Sequence, residues 1–273
     1  MKDIVSTKWL NQNLDHPNLI ILDASIASNA SGKVFEKSES TIPNARRFDL
    51  KNVFSDTSSV FPNTIPNPHI FERECQKLGI NQDSEIVVFD ANGMYSSPRA
   101  WWLFHVMGHE NIAVLDGGLP KWIQNGFRTE QSHLTKFETG NFKANFNKDL
   151  LISFEQVSQN IIKKDFLIVD ARSKGRFNGT EQEPRKHLKS GHIPNSVNIP
   201  HQDVLSDGMF KSKDELKVLF KHKCHGEKKL VFSCGSGLTA CIVLLACRIG
   251  YTNTSKLYDG SWTEWAERND LKV

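Results

Sequence analysis

Short apolar runs alternate with amphipathic stretches along the chain. Four of these runs are rich in branched residues and end at polar positions, a pattern typical of buried parallel strands. They are Leu19–Leu22, Ile86–Phe89, Leu167–Val169 and Leu230–Phe232. Capping boxes at Ser153 to Gln156 and at Ser212 to Glu215 predict that helices begin there, because such side chains satisfy the first backbone N–H groups. Strands that alternate with helices predict an α/β fold, with each parallel sheet flanked by helices.

The two halves of the chain resemble each other. Four segments recur in the same order: LIILDAS and FLIVDAR, TIPNARRFDL and HIPNSVNIPH, EIVVFDANG and KLVFSCGSG, VLDGGLPKW and LYDGSWTEW. Their offsets are nearly constant, since Asp23 and Asp170 are 147 residues apart and Trp122 and Trp265 are 143 apart. We therefore predict two tandem copies of one domain, over residues 1–130 and 149–273, joined by a polar linker over 131–148.

Composition narrows the functional class. The 273 residues include 34 Lys and Arg against 31 Asp and Glu, a net charge of +3, and no basic run indicates nucleic acid. The longest apolar run, 240–247, is far shorter than the about 20 residues of a membrane span, and the N-terminus lacks the apolar core of a signal peptide. Five cysteines without a CxxC pair indicate neither a disulfide framework nor a zinc site. We expect a soluble cytoplasmic protein without metal or cofactor.

The most informative segment follows the last predicted strand. Cys234 comes directly after Ser233, and Gly235 and Gly237 then permit a tight turn before an apolar helix that starts near Leu238. Ligands of open α/β sheets bind at this end of the strands. The loop N–H groups suit an anion, and the helix N-terminus favours a thiolate. We interpret Cys234 as a nucleophile and the other four cysteines as structural.

These motifs resemble the tandem rhodanese-domain sulfurtransferases. The resemblance rests on CGSGLTA, on DAR…GRFNGTEQEPR…GHIPNSVNIP before it, on LYDGSWTEW after it, and on ARRFDL, VVFDANGMYSSPRAWW and LDGGLPKW in the first half. Within that family a Cys-Gly-Ser-Gly-x-Thr loop resembles the 3-mercaptopyruvate sulfurtransferases, whereas thiosulfate-using relatives usually carry Cys-Arg-Lys-Gly-x-Thr. The resemblance implies two rhodanese folds and one active site, in the C-terminal domain and facing the domain interface. Ala91 lies 143 residues before Cys234, so the first-half loop has no nucleophile.

The resemblance also implies how the site works. Cys234 takes sulfur from a small-molecule donor, becomes a persulfide, and passes the sulfur to thioredoxin, another small thiol or cyanide. Arg176 and Arg185 match the two substrate-binding arginines of the family, and an arginine fork suits a carboxylate. The Gly-Ser loop lacks the two cations of Arg-Lys, so we expect a monocarboxylate to be preferred over the dianion thiosulfate. Arg172, directly after a strand, is expected to be a structural ion-pair partner.

The loop itself supplies the remaining predicted contacts. Its backbone N–H groups are expected to stabilise developing charge, and the substrate-binding residues predicted there are Gly235, Gly237, Leu238 and Thr239. Ser236 is predicted to be catalytic, donating a proton or a hydrogen bond. The family adds an Asp and a His from the first domain, but an alignment with one inserted residue places Lys51 and Asn63 there. We therefore do not carry the relay over: either Asn63 supplies only a hydrogen bond, or the relay is not required.

Three other interpretations remain. A thiosulfate:cyanide sulfurtransferase would keep the class and change the donor. A Cys-dependent phosphatase, on a related fold, needs a longer loop with Arg six positions after Cys, whereas this chain has Ala240 there and Ser233, not His, before the cysteine. A non-enzymatic binding or sulfur-relay module would be favoured by a missing cysteine, but Cys234 is present. We predict a 3-mercaptopyruvate sulfurtransferase.

Overall fold

A computed structural model describes residues 1–29, 32, 34–36, 38–226, 229–251 and 255–273. The first half contains β1 (Ile4–Val5), α1 (Thr7–Gln12), β2 (Leu19–Asp23), β3 (Arg46–Arg47), α2 (Pro68–Lys77), β4 (Glu85–Phe89), α3 (Ser97–Val106), β5 (Ile112–Leu115) and α4 (Gly118–Gln124). The second half contains α5 (Phe154–Lys163), β6 (Leu167–Asp170), α6 (Lys174–Asn178), β7 (Ser196–Asn198), β8 (Leu205–Ser206), β9 (Met209–Phe210), α7 (Lys213–Lys223), β10 (Leu230–Ser233), α8 (Ala240–Gly250), β11 (Ser255–Leu257) and α9 (Ser261–Arg268). Short 3-10 helices span Lys148–Leu150 and His201–Val204.

Each half builds one parallel sheet. The first has the strand order β1-β5-β4-β2-β3 and the second the order β11-β10-β6-β7, with β8 and β9 forming a separate antiparallel pair. Because the strands are parallel, their carboxyl ends meet at one edge, where Ser233 pairs with Asp170 and Phe89 with Asp23. The predicted fold class, two α/β units with helix-flanked parallel sheets, is confirmed.

The strands β2, β4, β5, β6 and β10 are buried on both faces, which explains their continuous apolar runs. In β2, Ile20 and Leu22 join one apolar cluster and Ile21 joins another, as the two-residue period of a strand requires. The larger cluster continues across both halves, since Trp101 of α3 and Leu244 of α8 belong to it. The two halves therefore share one core, and α3 packs against α8.

Local signals read from the sequence agree with these elements. Both predicted capping boxes are formed, at the first turns of α5 and α7. Helix α8 begins at Ala240, two residues after the predicted start, because Leu238 and Thr239 still belong to the loop. The segment 131–147 has no helix and runs along the first half, where the Phe142 side chain is fully buried beside Phe71 and Phe104.

Candidate active site

The loop that carries Cys234 connects β10 to α8. Cys234 is 2% exposed and lies at the carboxyl edge of the second sheet. The buried hydroxyl of Ser261 holds the loop at two points, because its Oγ accepts hydrogen bonds from the backbone N–H groups of Cys234 and Gly237, each at 3.1 Å. The same hydroxyl donates to the carbonyl oxygen of Tyr258 at 2.9 Å. One side chain thus fixes the start and the middle of the loop.

The first turn of α9 binds the loop carbonyls. The backbone N–H of Trp262 donates to Cys234 O at 2.9 Å, and the Thr263 Oγ1 donates to Gly235 O at 2.6 Å. The segment GSWT therefore positions the loop although it lies more than 20 residues further along the chain. Sequence reasoning used this segment only as part of a family motif and did not identify Ser261 or Thr263.

The surroundings require a glycine at position 237 and leave little room beside Gly235. Gly237 has a φ of +76°, and a Cβ there would lie 2.8 Å from Oδ1 of Asp259. A Cβ on Gly235 would lie 2.9 Å from Nη2 of Arg176 and 3.9 Å from Nη1 of Arg185. The predicted tight turn is confirmed, and the two predicted arginines lie over the residue that follows Cys234.

Three arginines surround the loop with different partners. Arg172 is fully buried and forms ion pairs with Asp170 and Glu183, each at 2.6 Å, so its predicted structural role is confirmed. Arg176 pairs with the other oxygen of Glu183 at 2.7 Å. Nη1 of Arg185 is buried and has no hydrogen-bond partner among the described residues. The carboxylates of Asp170 and Glu183 thus pair with Arg172 and Arg176, whereas Arg185 has no ion-pair partner among the described residues.

Lys51, like Arg185, is a cation without a carboxylate partner among the described residues. Its Nζ donates to the carbonyl oxygen of Ser28 at 2.6 Å, and no carboxylate of the described ranges lies within ion-pair distance of Lys51 or Arg185. Burial and the positive charge of Arg185 lower the pKa of Lys51. Burial lowers the pKa of Arg185, which the nearby Cys234 charge opposes. Sequence reasoning placed Lys51 only as a departure from the family pattern.

Residues of the first half close the site. The Asn63 Nδ2 lies 2.9 Å from Ser236 Oγ and 3.3 Å from Ser236 O. Arg99, 1% exposed, pairs with Asp259 at 2.7 Å and donates to Asn63 O at 2.6 Å and to Gly237 O at 3.4 Å. Sequence reasoning missed Arg99 and Asp259, because nothing in their local sequence indicates that they meet.

Tyr95 interacts with the charge of Cys234, and His201 lies beside Tyr95. Burial, together with the charge of Cys234, raises the pKa of Tyr95 to about 12. The His201 ring lies 6.2 Å from that of Tyr95, and burial lowers the pKa of His201. Burial therefore favours the uncharged form of both rings.

Comparison with known proteins identifies the family of this chain. The family model described as a rhodanese-like domain matches residues 6–125 and again 153–268. The chain belongs to the rhodanese-like family. The resemblance inferred from its sequence motifs is confirmed.

Similar rhodanese-like proteins span nearly the whole chain. The mitochondrial thiosulfate/3-mercaptopyruvate sulfurtransferase 1 of Arabidopsis thaliana is 38% identical over 295 residues, covering 99% of this chain and 77% of that protein. The 3-mercaptopyruvate sulfurtransferase of Escherichia coli K12 is 36% identical, covering 98% and 96%. The crystal structure of SseA from Escherichia coli, which reports the rhodanese fold of 3-mercaptopyruvate sulfotransferases, matches with a TM-score of 0.84 at 32% identity, covering 96% of this chain and 99% of that one.

In the first rhodanese-like unit, the backbone N–H groups of the equivalent loop have an acceptor within the protein. The buried Asp90 stands 143 residues before Ser233, and its carboxylate accepts hydrogen bonds from the backbone N–H groups of Asn92, Tyr95, Ser96 and Ser97 at 2.9–3.0 Å. In the second unit the N–H groups at the first three matching positions donate to no acceptor in the described part of the chain. They belong to Gly235, Leu238 and Thr239.

The remaining cysteines of this rhodanese-like chain are buried and unsuited to attack. Burial raises the pKa of Cys224 and of Cys241 to about 12, and that of Cys75 well above its ordinary value. Among the residues that the structure describes, no group of His, Cys, Asp and Glu side chains is arranged to hold a metal ion. In the same ranges, no helix has the length and apolar character needed to cross a membrane.

Proposed function

We propose that this chain transfers sulfur from 3-mercaptopyruvate to a thiol or cyanide acceptor through a persulfide on Cys234, with release of pyruvate. The observation that carries the proposal is the pair of equivalent loops. In the first half the carboxylate of Asp90 accepts hydrogen bonds from the backbone N–H groups of the loop. In the second half the matching N–H groups, in the loop that contains Cys234, have no acceptor among the described residues. This supports a second-half loop that binds an external anion next to a nucleophile.

The first half-reaction forms the persulfide. The thiolate of Cys234 attacks the sulfur of 3-mercaptopyruvate, an S–S bond forms, and the C–S bond breaks with its electron pair going to carbon. The product is the enolate of pyruvate, which takes the proton from the S–H of the new persulfide. Arg185, which has no carboxylate partner of its own, is suited to bind the donor carboxylate, and Arg176 lies beside it.

The second half-reaction regenerates the thiolate. A cyanide or thiolate acceptor attacks the outer sulfur, the S–S bond breaks, and its electron pair returns to Cys234. The loop amides of Gly235, Leu238 and Thr239 stabilise the anionic persulfide between the two steps. Such an order of events predicts ping-pong kinetics. Thioredoxin as the natural acceptor and a cytoplasmic location stay predictions, and one similar protein is mitochondrial by name.

The two halves divide the work in this proposal. We assign residues 1–130 to a domain without a nucleophile, 131–148 to the linker, and 149–273 to the catalytic domain. The first domain contributes Asn63, Arg99 and Lys51 to the site of the second.

Thiosulfate is a second candidate donor, which one observation favours. The loop lacks the two cations of thiosulfate-type relatives, but Lys51 supplies one from the first half, close enough to Arg185 for their charges to interact. With thiosulfate, the Cys234 thiolate takes the outer sulfur and sulfite leaves with the electron pair. A dianion needs more positive charge than a monocarboxylate does, so we expect thiosulfate to be the poorer donor.

The test is a paired steady-state assay with 3-mercaptopyruvate and thiosulfate and one acceptor, on the wild type, Cys234→Ser and the control Cys75→Ala. We expect a higher kcat/KM for 3-mercaptopyruvate and loss of both activities in Cys234→Ser only. Mass spectrometry after donor alone should find one added sulfur atom on Cys234. Activity that survives in Cys234→Ser would overturn the mechanism, and a preference for thiosulfate would overturn the choice of donor.

A further inference from the structure

The hydrogen bond between the two halves at Ser236 has a defined direction. One amide atom of Asn63 faces both the hydroxyl and the carbonyl oxygen of Ser236, at 2.9 and 3.3 Å. A carbonyl oxygen only accepts hydrogen bonds, so the atom that faces it must be the NH₂ group of the amide. The chemistry of the contact therefore fixes the orientation of the amide, and Asn63 donates to Ser236.

This direction determines what the serine does with its own proton. A hydroxyl has one proton, and Ser236 Oγ, on a residue 4% exposed, already accepts from Asn63. Within the described ranges that hydroxyl donates to no acceptor. A buried donor without an acceptor is costly, which makes it available to a molecule that binds beside Cys234.

The position of Asn63 is itself held from both halves. Its backbone has a φ of +59°, a left-handed conformation that Asn, Asp and His adopt more readily than other side chains. Its carbonyl oxygen accepts from Nη2 of the buried Arg99, and Nη1 of Arg99 is paired with Asp259 of the second half. The amide is thus locked in place by a network that also holds Gly237.

We propose that Asn63 is a positioning residue for sulfur transfer: it holds the Ser236 hydroxyl as a hydrogen-bond donor towards the molecule bound at Cys234, and it exchanges no proton with that serine. The inference rests on the proposed transfer at Cys234 and assigns the direction of one hydrogen bond within it. An amide has no proton to give or take near pH 7, so the serine acts by donation alone.

The decisive variant is Asn63→Asp. It keeps the shape of the side chain and tolerates a positive φ, but it replaces the NH₂ donor with an acceptor. The Ser236 proton would then turn to the carboxylate and away from the substrate. We expect kcat to fall about tenfold or more, as for an interaction made in the transition state; because the new negative charge also raises KM for the anionic donor, kcat is the readout of the lost hydrogen bond. The matched control is Asn195→Asp, whose amide also has a positive φ and donates to a carbonyl, Ile161 O at 3.0 Å, and we expect its kcat to stay within about twofold of wild type.

A double-mutant cycle separates positioning from a merely structural role. If Asn63 acts through Ser236, then Asn63→Asp in a Ser236→Ala background should lower kcat by no more than about twofold further. Independent, multiplying losses would overturn the inference, as would an Asn63→Asp enzyme with more than half the wild-type kcat. If Asn63→Asp does not fold, Asn63→Gly decides the question by the same cycle, because glycine adopts the positive φ freely. Activity in Cys234→Ser would instead reject the proposed function, whatever the cycle gives.

Discussion

Removal of the Ser261 hydroxyl tests whether one side chain holds the active-site loop. Its Oγ accepts from the N–H groups of Cys234 and Gly237, both at 3.1 Å, and donates to Tyr258 O. In Ser261→Ala the two N–H groups lose their acceptor, whereas Tyr258 O keeps the bond from the Ser261 backbone at 3.2 Å. The variant therefore leaves two buried donors unsatisfied and no other group.

The size of the effect follows from that count. A buried donor without an acceptor costs about 1–3 kcal/mol, so two cost about 2–6 kcal/mol of unfolding free energy. A loss of about 4 kcal/mol corresponds to a melting temperature about 8–16 °C lower in a chain of this size. Since Ser261 has a φ of +51°, Ser261→Gly removes the hydroxyl and also relieves the backbone strain of a side chain in this conformation, so its loss should be about 1 kcal/mol or more smaller than that of Ser261→Ala.

Thermal and urea unfolding measure the loss, and sulfur transfer measures its consequence. The matched control is Ser196→Ala, because Ser196 Oγ also donates to a carbonyl three residues earlier, Ile193 O at 2.6 Å, but receives no loop N–H. We expect the control to lose about 1 kcal/mol and to keep its activity, while both Ser261 variants lose stability and kcat together. A Ser261→Ala protein within about 1 kcal/mol of wild type would refute the reasoning.

Three further predictions follow from the charges. Arg185→Met should raise KM for 3-mercaptopyruvate about tenfold or more, because the carboxylate loses its charged partner, without lowering the melting temperature; a KM within threefold of wild type would contradict this. Lys51→Met should lower kcat/KM more for thiosulfate than for 3-mercaptopyruvate, with Lys211→Met, another lysine bound to a carbonyl, as the unaffected control; equal losses for both donors would refute it. Burial and the charge of Arg248 lower the pKa of His105 from 6.5 to about 3, so the unfolded chain takes up a proton below pH 6.5 and the folded chain does not. Stability should therefore fall by about 2 kcal/mol between pH 6.5 and 5, and urea unfolding should show this fall to be smaller in His105→Gln.

What the sequence predicts well is what local residues decide. The strands follow from branched apolar runs, and the observed β4 and β10 contain the predicted Ile86–Phe89 and Leu230–Phe232. The Cys234 loop follows from a cysteine that comes directly after a strand and is followed by small residues. These signals are short-range, because backbone propensity, side-chain period and turn chemistry act within a few residues.

Contacts between the two halves cannot be predicted from local sequence patterns. Asn63 and Ser236 are 173 residues apart, and Arg99 and Gly237 are 138 apart. All ten residues of α3 are buried, so the order of its apolar positions does not tell which loop of the other half lies against its first turn. Charged side chains usually stay on the protein surface, so the sequence alone would place Arg99 outside, whereas the structure buries it.

The internal repeat matches Ser261 with a glycine of the first half, and the backbone conformation of the two residues explains the match. Gly118 stands 143 residues before Ser261, and the two have nearly equal φ values of +55° and +51°. Glycine adopts this conformation without cost, whereas a serine there carries strain of order 1 kcal/mol or more. In the first half, Asp90 accepts from the loop N–H groups and the Ser25 hydroxyl accepts from the N–H of Ala91, the position that matches Cys234, so no hydroxyl is needed at position 118. In the second half the N–H groups of Gly235, Leu238 and Thr239 have no acceptor among the described residues, and the strained Ser261 supports the loop instead through two hydrogen bonds. The residues at positions 118 and 261 thus differ because the two loops are supported in different ways.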